Sequence, residues 1–392
     1  MDYSRELLLS LSAQAPVHAL VYEAKGVFPR THDAVTWEVL PYRRPSPLRS
    51  VFTNLPDVAY RFRSQAYLER AIELASNPGA MVDGLLDGIV VDFISMAWLV
   101  PPLRKALHAR GLATPVVMVT HNHEGALRQE TARGLAFPKN ILMNFDARKA
   151  AALEARANAA ADGITTIISE DASAFARMCA TPSNVLHPGY GGPMMKRDRH
   201  AAQIPRTATI IGNRMAVHKI AVLEHALGAL SDKGTDTEVQ IDIAGGGNFT
   251  RLSRQYPNCR FHGFVDDISA HLAGARLGLV PDDLGGGFKM RVLTLAMHRV
   301  PILGLNSAMR GTTFTPGKHY IGVDSLAEMA EILPRIIDDC EQLDAIQQAA
   351  FDHCRANFSW PDRGERLASF FDELAGRPRM ERKPACAASM PS

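Results

Sequence analysis

Short runs of β-branched and aliphatic residues alternate with longer stretches of helical spacing along most of the 392 residues. Eight runs predict strands, at residues 17–22, 89–93, 115–120, 164–168, 208–212, 238–244, 259–262 and 277–281. Most are apolar nearly throughout rather than at every second residue, so both faces must be covered, as in parallel sheets lying between helices. Two such blocks are separated by Gly189, Tyr190, Gly191, Gly192 and Pro193 and by a polar, charged stretch at 196–206. The boundaries expected are therefore an N-terminal domain at 1–190, a linker at 191–206 and a C-terminal domain at 207–358. A disordered tail at 376–392 completes the chain. Fold class is thus α/β with two Rossmann-like domains.

Before the first strand, Leu7, Leu8, Leu9 and Leu11 sit at helical spacing until Pro16 stops them. A wound sheet usually opens on a strand and a glycine turn, so the first strand of the N-terminal domain is expected to be missing. Residues 40–80 are broken by Pro41, Pro45, Pro47 and Pro56 and carry Arg43, Arg44, Arg49, Arg61 and Arg63. That stretch reads as a solvated surface, with a docking face for phosphates or lipid headgroups as the sharper alternative.

Composition narrows the function classes. Hydrophobic residues make up 46% and charged residues 21%, an ordinary globular balance. No apolar run is long enough to span a membrane, and the first residues do not open a signal peptide. A net charge of +2 demands no nucleic-acid partner. The five cysteines are scattered without a CxxC pair, which fits a reducing cytoplasm and argues against a zinc site or a disulfide framework.

Four constellations could carry chemistry. Gly285, Gly286, Gly287, Phe288, Lys289 and Arg291 follow a strand and open a helix, where glycine amides and a helix N-terminus attract an anion. A tight turn with two solvated cations is the bland alternative. Gly245, Gly246 and Gly247 also end a strand, but Asn248 and Thr250 break the GxGxxG fingerprint, so a nicotinamide or flavin cofactor is disfavoured. Arg214 and Lys219 follow the first strand of the second block and could meet a diphosphate. His121, Asn122 and Glu124 end the strand at 115–120, where an open sheet places its ligands, and His121 could bind a substrate hydroxyl. Neither GxSxG nor a Walker loop is present, which disfavours a serine hydrolase or a kinase.

Taken in order, these pieces resemble a GT-B glycosyltransferase of family 4, the group 1 glycosyltransferases. The carrying residues are the glycine run at 245–247, then Arg260, Phe261, His262, Gly263, Phe264 and Val265, then the glycine loop. The segment from Arg291 to Leu303 is similar to the family's K-I-L-E-A-L-A-x-G-x-P-V-V, and Phe358, Ser359 and Trp360 to its F-S-W. His121, Asn122 and Glu124 resemble the family's s-H-N-x-E variant.

The resemblance implies two Rossmann-like domains facing a cleft, a closing helix at 359–375 that crosses back to the N-terminal domain, a nucleotide-diphosphate sugar as donor, no metal or other cofactor, and transfer with retention. His121, Arg214 and Lys219 take the catalytic roles. Gly285, Gly286, Gly287, Phe288, Lys289, Arg291, Thr294 and Val265 bind donor, and Asn122 and Glu124 line the acceptor side. The family's paired glutamates fall on Gly286 and Thr294. A glycan, a lipid-linked saccharide or a small molecule would accept the sugar, in the cytoplasm, with peripheral membrane contact through the N-terminal domain. Nucleotide-sugar 2-epimerisation would want more acidic or histidine groups than the sequence offers. A degenerate domain that binds without turnover is the alternative that Thr294 favours.

Overall fold

The computed structural model describes residues 3–23, 35–43, 45–77, 86–215, 217–232, 239–282 and 287–376. Gly285, Gly286 and the tail from 377 lie outside the described residues. The chain divides into two compact units, Met1–Pro188 with Trp360–Ser392, and Gly189–Ser359. Each is an α/β unit built on a parallel sheet.

In the first unit, β1 (Val17–Tyr22) and β2 (Val35–Leu40) pair in parallel as a two-stranded sheet. Then β3 (Ile89–Asp92), β4 (Val116–Val119), β5 (Gly163–Thr166) and β6 (Ser183–Val185) form a four-stranded parallel sheet in sequence order. The apolar run of β4 is explained by its two faces. Val116 and Met118 pack with Leu103, Leu107 and Leu153, whereas Val117 and Val119 pack with Leu7, Leu367, Phe370 and Phe371. The second face is thus covered by the first helix, Tyr3–Ser12, together with the last, Trp360–Leu374. Gly364 allows that contact: a Cβ there would lie 2.0 Å from the Ser10 carbonyl oxygen. Burying each large side chain of this layer stabilises the unit by about 1.5–3 kcal/mol.

The second unit has one six-stranded parallel sheet. Its strands are β7 (Thr207–Ile211), β8 (Gln240–Ala244), β9 (Cys259–Gly263), β10 (Leu277–Val280), β11 (Ile302–Leu305) and β12 (Ile321–Val323). Their order is β12-β11-β10-β7-β8-β9. The winding reverses between β7 and β10, and in open α/β sheets the crevice at the carboxyl ends of such strands is where ligands bind. Residues 191–206, expected to form a linker, lie in this unit, where buried Arg199 donates to the carbonyls of Leu272 and Ala275.

The pattern reading passed over β2, β6, β11 and β12. Two of these are only three residues long, too short for periodicity to register. In β2, Thr36 and Glu38 interrupt the apolar run.

Imidazoles that burial holds below their ordinary value are expected to make the second unit acid-sensitive. His298 is 1% exposed; its Nδ1 donates to the Thr294 carbonyl at 2.8 Å, leaving Nε2, 2.9 Å from the Ser269 hydroxyl, as acceptor. Burial holds this imidazole below its ordinary value, and burial acts the same way on His271 and His353. The unfolded chain therefore takes up these protons first. Stability is fully present above about pH 6.5 and falls as pH drops below it, by up to about 1.4 kcal/mol per pH unit for each imidazole. Urea titrations at falling pH should show this loss, and His298→Gln should flatten it; an unchanged slope would remove His298 from the account.

Candidate functional site

In the second unit the site grows from the ends of β7 and β10. Gly212 follows β7 at φ +134 and Gly245 follows β8 at φ +143, a region that only glycine enters readily. A Cβ on Gly245 would lie 2.0 Å from the Gly212 carbonyl oxygen, so the two strand-end loops pack backbone to backbone. The Arg214 amide donates to the Gly246 carbonyl at 2.6 Å. The glycine run at 245–247 thus supports the loop that carries Arg214, a structural use of a motif that resembled a dinucleotide fingerprint.

Arg214 is 1% exposed and directs Nη1 toward Asp282 at 3.4 Å. Asp282, also buried, follows β10 and is held from its other oxygen by Arg291 at 2.7 Å. The Arg291 guanidinium lies against the Gly212 backbone, its Cζ 3.4 Å from where a Cβ would stand. Two guanidiniums thus share one carboxylate, leaving a positive charge in excess in a place with little water. Burial, reinforced by the Arg291 charge, pushes the Arg214 guanidinium below its ordinary value, against the pull of Asp282. Nε of Arg214 is buried without a hydrogen-bond partner among the described residues. An incoming anion would relieve both conditions.

The remaining donor-side residues are placed as follows. Gly287, at φ +81, and Phe288 lead into the helix Met290–Met297, with Lys289 at its N-cap. Lys219 is exposed on the first turn of the helix Val217–Asp232. Val265 packs half-buried against the core of the unit. The Thr294 hydroxyl donates to the Met290 carbonyl at 3.3 Å and also meets the Tyr190 hydroxyl, whose pKa burial pushes up to about 12. Asp282 was missed by the sequence reading; an acid one residue beyond a strand-ending proline was its only signal.

The first unit gathers His121, Asn122 and Glu124 at the end of β4. His121 Nε2 is 2.8 Å from Oδ1 of Asp92, the last residue of β3. In a neutral imidazole, donation from Nε2 to the carboxylate leaves Nδ1 as an acceptor. Tyr3 and Phe93 meet the imidazole edge-on, each at 5.0 Å between ring centres. Phe93 is held at φ +69, a costly conformation for an aromatic residue beside the dyad. Asp92 was also passed over, because its partner is 29 residues away.

Glu124 is buried and pairs with Arg128 at 3.4 Å, and the Asn122 amide reaches it at 3.5 Å. His123 caps the following helix through Ala126 and stacks on Phe175. Glu154 accepts from the amides of Glu124 and Gly125 at 2.7 and 2.9 Å and fastens the start of that helix. Burial is the main cause that raises its carboxyl above the ordinary range. A cavity of about 10 Å³ beneath His121, lined also by Thr120 and Asn158, has room for one water and no sugar.

Comparison with known proteins bears on the family and the fold. Residues 205–339 match the family model described as glycosyl transferases group 1, as the resemblance implied. No curated protein matches. Among solved structures, sucrose-phosphate synthase (tll1590) from Thermosynechococcus elongatus superposes with a TM-score of 0.64 at 14% identity, covering 95% of this chain and 93% of that one. Anabaena Alr3699/HepE in complex with UDP and glucose gives 0.60 at 14%, covering 93% and 95%. The trehalose 6-phosphate synthase of Burkholderia multivorans gives 0.56 at 12%, covering 88% and 87%. The chain has the GT-B fold that these structures share.

Proposed function

From a second unit that matches the group 1 glycosyl transferases on a GT-B fold, we propose that the chain is a retaining glycosyltransferase moving a hexose from a nucleoside-diphosphate sugar. The acceptor is a glycan, a lipid-linked saccharide or a small molecule. Arg214 and Arg291 around Asp282, at the reversal of the sheet, are the observation that carries the reading. The bound UDP of the HepE complex supports a nucleotide donor.

The difficult step is departure of the diphosphate while the sugar becomes oxocarbenium-like. Fixed cations that meet the leaving charge lower that barrier without reorganising. Arg214 and Arg291 supply them, aided by the amides at the start of the helix Met290–Met297. Lys219 adds an exposed cation for the distal phosphate. In the first unit, His121 held by Asp92 presents Nδ1 to a sugar or acceptor hydroxyl.

Among the described residues, no helix is long and apolar enough to cross a membrane. The reading places the protein in the cytoplasm, in peripheral contact with the inner face of the membrane. A second reading, binding without turnover, is favoured by Thr294, whose hydroxyl is engaged by Met290 and Tyr190.

Thermal unfolding with UDP, GDP, ADP or TDP at millimolar concentration tests the donor site. A nucleotide at about 100 times its Kd adds about 2.7 kcal/mol, a rise of a few degrees. No rise with any of the four would refute the donor reading. A selective rise without sugar transfer from the matching nucleotide sugar would establish the second one.

A further inference from the structure

We propose that Tyr190 is a positioning residue for sugar transfer: through Thr294 it braces the helix Met290–Met297, whose start would meet the leaving diphosphate. The inference rests on the donor reading of the second unit, and it gives Thr294 a use other than contact with the donor.

The brace is built where the chain enters that unit, which begins at Gly189 and ends at Ser359. The Tyr190 hydroxyl donates to the Pro193 carbonyl at 2.8 Å, which leaves its oxygen to accept from Thr294 in the middle of the helix. Further on, the Met195 amide donates at 2.9 Å to the carbonyl of Met297, the last residue of the helix. It thereby satisfies one of the acceptors that a helix end leaves open. Beyond that end Asp198 pairs with Arg299 at 3.4 Å. Residues 190–198 thus follow the helix from its middle past its end. Its start is held by the segment that leaves the unit. The Tyr190 amide donates to the Phe358 carbonyl at 2.8 Å, and the Phe358 ring lies 5.7 Å from that of Phe288, just before the helix.

Gly192 permits this arrangement. A Cβ there would stand 2.7 Å from the Tyr190 oxygen and 2.8 Å from its Cζ, so any side chain at 192 would push the ring away. The Thr294 hydroxyl, shared between the Met290 carbonyl at 3.3 Å and Tyr190, lies one turn inside the helix start. Movement at Thr294 is therefore movement of the first-turn amides and of Arg291. Groups that stabilise a developing charge must already be in place when it forms. A small displacement weakens contacts made in the transition state more than those made to the bound donor.

Tyr190→Phe and Thr294→Val each remove one hydroxyl at nearly constant volume, and Gly192→Ala displaces the ring. In each variant, hydrogen exchange without nucleotide should show the amides of 290–297 exchanging roughly fivefold faster, as for the loss of one hydrogen bond. The kcat of transfer should fall by about tenfold, while affinity stays parental for whichever of UDP, GDP, ADP and TDP stabilises the parent. Tyr190→Phe combined with Thr294→Val should cost no more than either alone, because both remove the same bond. Unchanged exchange, or faster exchange with parental kcat, would overturn the proposal. So would Thr294→Val weakening the nucleotide while Tyr190→Phe leaves transfer intact, since Thr294 would then touch the donor itself. A parent that neither binds nucleotide nor transfers sugar would remove the donor reading and this role with it, a result set apart by failure of the parent.

Discussion

Arg214→Ala is expected to lower sugar transfer by roughly 10²- to 10³-fold, the usual loss when one fixed group that meets developing charge is removed. The effect should appear in nucleotide affinity as well, because the proposed role has the buried guanidinium meet the diphosphate in both the bound and the reacting state. Arg291→Ala should behave alike, since the two cations flank the same carboxylate of Asp282. Their sharing has a further consequence. Removing either leaves Asp282 with one partner, so the second removal exposes a buried, unpaired charge and costs more stability than the first. Initial rates, nucleotide titration and thermal unfolding of the two single variants and the double variant would measure all of this. Transfer and affinity at parental levels in either single variant would remove that arginine from the site.

His121→Ala is expected to reduce transfer by roughly 10²-fold or more, within the range for a positioned proton-handling group, while nucleotide binding in the other unit stays intact. Asp92→Asn is the finer probe. Its amide keeps the shape of the carboxylate but can donate to Nε2, which would move the histidine proton to Nδ1 and remove the acceptor proposed to meet the hydroxyl. Transfer should fall in company with a changed nitrogen-15 resonance of His121, and Asp92→Glu should recover part of it. A change of tautomer without loss of transfer would refute the dyad's role in the reaction.

Much of this arrangement is legible in the chain. Continuous apolar runs such as Val116–Val119 and Leu277–Val280 declare strands buried on both faces, because a strand with one wet face would alternate. Glycines, prolines and strand ends are signals of the same local kind, which is why His121, Arg214 and Arg291 could be named from spacing and motif order.

The sequence by itself thus determined eight of the twelve described strands, the parallel character of the sheets and which cations and imidazole to propose for the site. Only the tertiary structure decided who meets whom. Asp282 joins Arg214 across 68 residues because β10 returns to lie beside β7, and Asp92 joins His121 because β3 and β4 are neighbours. The resemblance brings the helix Trp360–Leu374 back to the first domain, but that it packs there on the Ser10 backbone through Gly364 is seen only in the fold. Local pattern reports torsional preference and the need for burial. Strand order and the partner of a buried charge depend on free energies summed over distant residues, and no short window of sequence contains them.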